Sequence, residues 1–162
     1  MAAFRPGTAR ERLIVWLWKR LPLSGRARMV ITWVVNLRYA VGVAAVITDE
    51  AGAVLLLRHT YRRGIYEWGL PGGWVKGREQ LERALARELR EETGFDIAIT
   101  RLVAVHSGFA VPRITVIFAA NVTGGTFRPS AEVQDYGYFP PDKLDNILPG
   151  ERRAVREALR QA

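Results

Sequence analysis

The sequence predicts an α/β protein, in which a mixed β-sheet is sandwiched between helices and an N-terminal helical extension precedes the domain. Three observations support this fold class. A long helix is predicted within residues 79–93, between a glycine loop and Gly94. Apolar, β-branched stretches lie before and after it, and a second amphipathic helix is predicted from Glu151 to Arg160. Strands that flank a helix in this way bury their apolar faces as a layered sandwich.

The composition fits one folded domain. The chain has 162 residues, of which 49% are hydrophobic and 25% are charged, so it is long enough for one well-buried core and has no signature of disorder. It has no cysteine, which excludes disulfides, thiolate metal sites and cysteine nucleophiles. The net charge is +8, of which residues 1–40 carry +7. The basicity therefore belongs to the N-terminal extension and not to the domain.

The extension comprises residues 1–37 and is rich in basic residues and tryptophan. Thr8 and Glu11 form a capping-box pattern, which predicts a helix from about Ala9 to Arg20 that ends at Pro22. A second short helix is expected after it. Three interpretations stay open: a helical arm that packs on its own domain or on a partner subunit, an amphipathic segment on an anionic membrane surface, and a signal peptide or membrane span.

The membrane span is the least favoured of the three. The run from Met29 to Ile47 is long enough to cross a bilayer, but Asn36 and Arg38 lie at its centre. An arginine there costs about 2.5–3.5 kcal/mol on insertion scales. No small-residue cleavage site follows the short apolar run 13–18. We therefore expect a cytoplasmic protein, with peripheral membrane contact if the extension binds lipid.

The predicted domain covers residues 38–162 and begins with apolar runs. Residues 38–48 and 53–59 are expected to pair as a hairpin across the turn between them. Residues 68–70 are expected to be extended and to lead into Pro71-Gly72-Gly73, where the backbone is free to approach a ligand. After the central helix, strands are predicted over 97–106 and 114–121, and a last strand ends near Phe139.

The central helix carries its charges in an unfavourable pattern. A leucine at every fourth place predicts a buried stripe of Leu81, Leu85 and Leu89. Three acids crowd one face in the C-terminal half, where the helix dipole disfavours anions: Glu88, Glu91 and Glu92. Two interpretations fit the run alone. One is a solvated face with ion pairs, and the other is a site for a hard divalent cation, which binds carboxylates and substrate phosphates.

The full spacing favours the cation. Five residues separate Gly73 from Glu79, and seven more lead to Arg87-Glu88-Leu89; after one further residue come Glu91-Glu92, Thr93, Gly94 and Phe95. This pattern resembles the Nudix box at every fixed position, with a phenylalanine where an aliphatic residue is more usual. The resemblance identifies the chain as a suspected member of the Nudix family from about Tyr39 onward. It implies the same α/β/α sandwich.

The resemblance also implies roles for individual residues. The ligands expected for Mg²⁺ or Mn²⁺ are Glu88, Glu91 and Glu92, with a backbone carbonyl of Gly72. Glu79 and Arg87 are expected to pair and to orient the loop against the helix. The residues expected to act in catalysis, one of them as the base, are Glu91, Glu92 and Glu132, the last of which lies ahead of the strand that ends near Phe139.

The reaction implied by the resemblance is the metal-dependent hydrolysis of a diphosphate bond in a nucleoside diphosphate linked to another moiety, of the ADP-ribose or nucleotide-sugar type. Aromatic candidates for stacking on a base are Tyr61, Trp68 and Phe109. Candidates for binding phosphate are Arg58, Arg62 and Arg113. The competing interpretation is core packing for each aromatic and a solvated surface for each arginine. The histidines, His59 and His106, are expected to be hydrogen-bonded near the core surface.

Two other functions stay open at this point. One is a pyrophosphohydrolase of RNA 5′ ends or dinucleoside polyphosphates, with the basic extension contacting RNA. The other is a non-catalytic nucleotide sensor or membrane-associated binding module, against which the intact glutamates argue. The expected partners are a small nucleotide substrate, a second copy of the chain through the extension, and a membrane surface. A nucleic acid is less expected, because the domain itself has no basic surplus.

Overall fold

The computed structural model describes residues 16, 24–26, 39–108 and 112–161. Contacts between Cα atoms divide the chain into two units, Met1–Arg38 and Tyr39–Ala162, and the fold below is that of the second. The predicted extension and its three interpretations lie almost wholly outside the described residues, and the division after residue 37 stays a prediction. In the part of the chain that the structure describes, no helix is long and apolar enough to cross a membrane.

The described part of the second unit contains seven strands and two α-helices. In chain order they are β1 (Ala40–Ile47), β2 (Val54–His59), β3 (Trp68–Gly69), β4 (Gly72–Trp74), α1 (Leu81–Thr93), β5 (Phe95–Gly108), β6 (Arg113–Gly125), β7 (Val133–Phe139) and α2 (Pro149–Leu159). The strands form two sheets. One has the order β4-β1-β6-β5 and the other β3-β2-β7. Strands β1 and β6 are parallel and the other pairs are antiparallel, so the larger sheet is mixed.

The two faces of the larger sheet are covered by different helices. On β1, alternate residues point to opposite faces, as strand geometry requires. One face packs on the leucines of α1 and includes Val43, Ala45, Ile47, Leu85 and Leu89. The other face packs on α2 and includes Ala44, Val46, Ile117, Ala154 and Val155. The predicted α/β fold, with helices on both sides of a mixed sheet, is confirmed.

The predicted hairpin of β1 and β2 is wrong. The two strands lie in different sheets, and the described residues join them by one isolated bridge, Thr48–Val54. The reason is that β1 is apolar on both faces, so it takes a central place between β4 and β6. The turn between the strands has the expected chemistry, since the carboxylate of Asp49 accepts hydrogen bonds from the backbone N–H groups of Ala51 and Ala53.

Helix α1 begins two residues later than predicted and ends as predicted. It starts at Leu81, because Glu79 belongs to the preceding loop, where it pairs with Arg87. It ends at Gly94, whose φ of 78° lies in the left-handed region and whose N–H donates to the carbonyl of Arg90. This stop turns the chain directly into β5, which keeps the C-terminal half of α1 beside the edge of the sheet.

His59, the last residue of β2, departs from the expectation of a hydrogen-bonded histidine. Its side chain is 2% exposed, and neither ring nitrogen has a hydrogen-bond partner among the described residues. The ring packs on Tyr61, with 5.1 Å between the centroids. Burial, together with the positive charge of Arg62, lowers the pKa of His59 to about 4. His106 follows the expectation, since its Nε2 lies 2.8 Å from Glu157 Oε2.

We expect the titration of His59 to contribute a fall in the free energy of unfolding as the pH drops below 6.5, measured as the difference between wild type and a variant without this histidine. The pKa of His59 is about 4 in the folded state against an ordinary value of 6.5, so between these values the unfolded chain binds the extra proton and is favoured. At about 1.4 kcal/mol for each pH unit, the loss between pH 6.5 and pH 5 is roughly 2 kcal/mol. Urea denaturation at a series of pH values measures it.

The variant His59→Phe cannot take up this proton and is expected to lose that part of the pH dependence. His106→Gln, which leaves His59 in place, is the matched control and is expected to keep the fall in stability. An unchanged slope in His59→Phe would contradict the assignment.

Candidate active site

Helix α1 brings two buried glutamates to one end of the larger sheet. Glu88 and Glu92 are 9% and 5% exposed and lie one turn apart, beside the buried Leu85 and Leu89. They open onto a cleft of about 290 Å³. The residues that line it are Tyr61, Gly72, Gly73, Trp74, Lys76, Glu88, Glu91, Glu92, Ser130, Ala131 and Glu132. The cleft thus unites all the residues to which the sequence assigned metal binding or catalysis.

The charged form of Glu92 is strongly disfavoured in this cleft. Burial, and then the negative charges of Glu88 and Glu132, raise its pKa to about 8. Its Oε2 atom is buried and has no hydrogen-bond partner among the described residues. A buried carboxylate oxygen without a partner is costly, and a cation placed at this oxygen removes the cost. The donor set therefore fits a hard divalent cation, which prefers carboxylate oxygens.

Side chains alone do not complete a metal site. Among the described residues, no group of three or more His, Cys, Asp or Glu side chains is arranged so that it could hold an ion. Arg87 explains this in part, because its Nη1 donates to Glu88 Oε1 at 2.8 Å and to Glu91 Oε2 at 3.0 Å. Magnesium commonly keeps several water ligands and binds few carboxylates, so two glutamates and a backbone carbonyl of the cleft are a sufficient protein contribution.

Arg87 ties the glycine loop to the helix. Its Nε and Nη2 atoms donate to the two carboxylate oxygens of Glu79, each at 2.9 Å, and Nη2 also donates to the carbonyl of Trp74 at 3.1 Å. The hydrogen bond with Arg87 lowers the pKa of Glu79. The pKa of Arg87 is raised, with the hydrogen bond that it donates to Glu79 as the largest cause. Such two-pronged contacts fix geometry as well as charge.

Two glycines let the loop approach the helix and the sheet. A Cβ atom at Gly73 would lie 2.5 Å from Cδ of Glu88, so only glycine leaves room for this carboxylate. Gly72 has a φ of 153°, and a Cβ atom there would lie 2.1 Å from the carbonyl oxygen of Val43. The close approach explains why this sequence has glycine at both positions.

The other two glutamates of the cleft differ in their contacts. Glu91 is exposed, and its Oε2 accepts hydrogen bonds from Lys76 Nζ at 3.2 Å and from Arg87. The hydrogen bond from Lys76, followed by that from Arg87, lowers the pKa of Glu91. Glu132 faces α1 from the loop before β7, and its carboxylate has no hydrogen bond or ion pair within the described residues. Of the two, Glu132 is the one whose carboxylate has no partner within the described residues.

A second cavity, of about 390 Å³, lies on the α2 side of the larger sheet. Its polar lining residues include Arg62, His106, Arg113, Thr115, Glu151 and Arg153. Arg62, which lines this cavity, follows Tyr61 of the glutamate cleft, and its charge acts on Glu92, so the two spaces lie near each other. Arg62 donates from Nη2 to Glu151 Oε1 at 2.8 Å and from Nη1 to Glu151 Oε2 and the carbonyl of Trp68, each at 3.2 Å.

Charge compensation distinguishes the arginines of this cavity. Burial acts to lower the pKa of Arg62, but its hydrogen bond and ion pair with Glu151 raise it overall. Arg153 donates to Glu157 at 2.8 Å. The guanidinium of Arg113, an exposed residue, has no hydrogen bond or ion pair among the described residues. It is therefore accessible both to solvent and to an anionic ligand.

Of the remaining substrate candidates, Arg58 and Trp68 line neither of these two cavities. Arg58 pairs with Glu67 at 2.9 Å, and Trp68 packs edge-on against Phe139 with 4.7 Å between centroids, as the core-packing alternative expects. Phe109 lies outside the described residues. Sequence reasoning missed Lys76, Ser130 and Glu151. The position of Lys76 between Gly73 and Glu79 of the motif could have indicated that it lies at the cleft. Ser130 and Glu151 are recognised only from the fold.

Comparisons with known proteins agree with this site. The NUDIX domain family model matches residues 38–160. A MutT-like protein of Streptomyces ambofaciens is 31% identical over 122 residues, which cover 75% of this chain and 74% of that protein. A putative 8-oxo-dGTP diphosphatase of Bacillus subtilis is 26% identical over 121 residues, covering 74% of this chain and 79% of the relative.

A solved structure is similar in fold as well. The crystal structure of an ADP-ribose pyrophosphatase from Streptococcus suis superposes with a TM-score of 0.63 and 25% identity, over 76% of this chain and 93% of that one. The match of the family model over most of the chain, the relative of similar length and the conserved layering of helices and sheets lead to one assignment. The chain belongs to the NUDIX domain family and is a Nudix hydrolase.

Proposed function

We propose that this protein hydrolyses a diphosphate bond in a nucleoside diphosphate linked to another moiety, of the ADP-ribose or nucleotide-sugar type, with Mg²⁺ or Mn²⁺ as cofactor. The observation that carries the proposal is the uncompensated charge of the cleft. Glu92 has a buried oxygen without a partner and lies among the charges of Glu88, Glu91 and Glu132. Such a cleft repels a bare diphosphate and accepts one that arrives with divalent cations.

The chain's own residues divide the work of the reaction. Glu88 and Glu92 would hold the cation, and Gly72, which lines the same cleft, would contribute its backbone carbonyl. The chemistry supplied by a bound divalent cation is neutralisation of phosphate charge and a lower pKa for a bound water. Glu132 takes the proton as the water oxygen bonds to one phosphorus and the bridging P–O bond breaks. Arg87 and Glu79 keep the loop and helix in register.

The second cavity supports a substrate with a moiety beyond the diphosphate. Its volume of about 390 Å³ is in the range of small-molecule sites. It adjoins the glutamate cleft through Tyr61 and Arg62, and Arg113 offers an uncompensated positive charge. Among the similar proteins, one is an ADP-ribose pyrophosphatase and another a putative 8-oxo-dGTP diphosphatase. Nucleoside triphosphates therefore belong in the test panel.

The contacts of residues 1–37 with a second copy or with a membrane, and the cytoplasmic location, stay predictions from the sequence. They concern where the hydrolase works and do not enter the chemistry of the cleft.

The variant Glu92→Gln is expected to lose turnover by at least about hundredfold, because it removes a carboxylate at the reacting centre. Its folding stability is expected to be kept or raised, since the change relieves repulsion from Glu88 and Glu132. The measurement is the formation of the two phosphorylated products with Mg²⁺, followed by chromatography, from a panel of ADP-ribose, nucleotide sugars, dinucleoside polyphosphates, 5′-triphosphorylated RNA and nucleoside triphosphates, together with thermal unfolding.

Glu82→Gln is the control, since Glu82 is an exposed glutamate in the first turn of the same helix; it is expected to leave turnover unchanged. The proposal fails if wild type turns over none of the diphosphate-linked compounds. Preference for RNA ends or nucleoside triphosphates would replace the substrate class but keep the hydrolase.

The variant Gly73→Ala is expected to fold and to lose activity strongly. The added methyl would lie 2.5 Å from Cδ of Glu88, so this carboxylate must leave its place in the cleft, and a displacement of about 1 Å can cost about hundredfold in rate. Turnover at a series of Mg²⁺ concentrations tests this, with a raised metal requirement as the expected signature. Gly124→Ala is the matched control, because its nearest new contact is an ordinary 3.9 Å. Equal activity in the two variants would contradict the assigned role.

A further inference from the structure

The end of β2 holds the loop that carries Glu132. The backbone N–H of Thr60 donates to the carbonyl of Glu132 at 2.9 Å. The hydroxyl of Thr60 donates to the carbonyl of Ala131 at 2.7 Å and, more weakly, to that of Glu132 at 3.3 Å. One residue thus contacts both peptide units that flank Glu132, and it does so from a strand more than seventy positions earlier in the chain.

The anchor residue is itself fixed. Thr60 follows His59, whose side chain is 2% exposed in the core, and precedes Tyr61, which lines the glutamate cleft. The backbone N–H of His59 also donates to the carbonyl of Glu67 at 2.8 Å. Thr60 is an exposed turn residue, and it contacts the Glu132 loop directly after the buried end of β2.

A β-bulge directs the loop toward the cleft. Arg58 pairs with Asp135, but His59 pairs with Val133, so Gln134 is an extra residue on β7. A bulge of this kind bends a strand and re-aims the side chains that follow it. Here it lies two residues from Glu132. The bulge and the contacts of Thr60 together determine where the Glu132 carboxylate lies relative to Glu92.

Other contacts shape the loop but do not reach across it from β2. The hydroxyl of Ser130 accepts hydrogen bonds from the backbone N–H groups of Glu132, at 3.3 Å, and Val133, at 3.0 Å. The N–H of Arg128 donates to the carbonyl of Thr93 at the end of α1. The bonds of Ser130 close the turn locally and that of Arg128 ties the loop to α1, whereas the backbone N–H and the hydroxyl of Thr60 tie it to the end of β2.

We propose that Thr60 is a positioning residue that holds Glu132 at the cleft through its side-chain hydroxyl, an inference that rests on the role of Glu132 proposed above. The carboxylate of Glu132 has no hydrogen bond or ion pair of its own in the described part of the chain. Its location is therefore determined by the backbone of its loop, and the hydroxyl of Thr60 is a side-chain group that constrains this backbone. Losing the hydroxyl lets the carboxylate drift without removing it.

The test uses the full chain and the compound that wild type turns over best. Thr60→Val keeps the shape and the backbone N–H but removes the hydroxyl, and we expect it to lower kcat by roughly tenfold or more with little change in KM. Thr60→Ser retains the hydroxyl and is expected to restore kcat. Thr100→Val is the matched control, since the hydroxyl of Thr100 also donates to a carbonyl, that of Ala119 at 3.1 Å, but lies on β5.

A double-mutant comparison tests whether Thr60 acts through Glu132. In a Glu132→Gln background, we expect Thr60→Val to change kcat by less than about twofold, because residues that act as a unit are not additive. An equal loss in both backgrounds would mean that Thr60 acts elsewhere, and it would overturn the proposal. Wild-type turnover by Glu132→Gln would overturn it together with the role of Glu132.

Amide hydrogen exchange without substrate gives a second readout, independent of activity. Segment 126–133 is expected to exchange faster in Thr60→Val than in wild type or in Thr100→Val. Unchanged exchange would overturn the proposal even if kcat fell. If wild type turns over no compound, the proposed function has failed, and the exchange rates alone still establish or overturn the hold of Thr60 on this loop.

Discussion

The guanidinium of Arg87 is the contact on which the rest of the site depends. It binds the carboxylates of Glu79, Glu88 and Glu91 and the carbonyl of Trp74. Without this cation, three anionic side chains and the carbonyl end of a short strand would meet in a small volume. The same group thus offsets repulsion within α1 and fixes the loop to it, which a lysine, with a single point charge, would not do.

Apolar packing of α1 against the sheet offsets the energetic cost of its acidic face. Leu85 and Leu89 are fully buried beside Glu88 and Glu92, and this packing offsets the cost of placing anions near the C-terminus of a helix. The left-handed Gly94 then turns the chain into β5, where Arg90 pairs with Asp96. The helix is anchored at both ends, so the carboxylates crowd the cleft instead of spreading into solvent.

The sequence predicted those features that are set by short-range spacing. The leucine stripe, the glycine stop and the pairing geometry of Glu79 and Arg87 all lie within one motif, and the composition of the strands predicted the layers. What it could not provide was set by long-range partners. The predicted hairpin failed because β1 finds better partners in β4 and β6. Arg58 and Trp68 were expected to bind substrate. In the structure, the side chain of Arg58 pairs with Glu67 and that of Trp68 packs on Phe139.

The charged side chains that line the glutamate cleft are mainly acidic, whereas the described lining of the second cavity contains three arginines. Arg62 lies between the two. The positive charge of Arg62 acts to lower the pKa of Glu92 on the side of the cleft. On the side of the second cavity, its guanidinium donates hydrogen bonds to Glu151. Glu151 in turn accepts the backbone N–H of Leu148 at the start of α2, so the position of Arg62 is linked to that helix. For the substrate proposed above, a diphosphate with its cations would suit the acidic side, and an anionic or polar remainder would suit the side that carries the guanidinium of Arg113. Under that proposal, this asymmetry would orient a two-part substrate before any specific contact with a base or sugar is made.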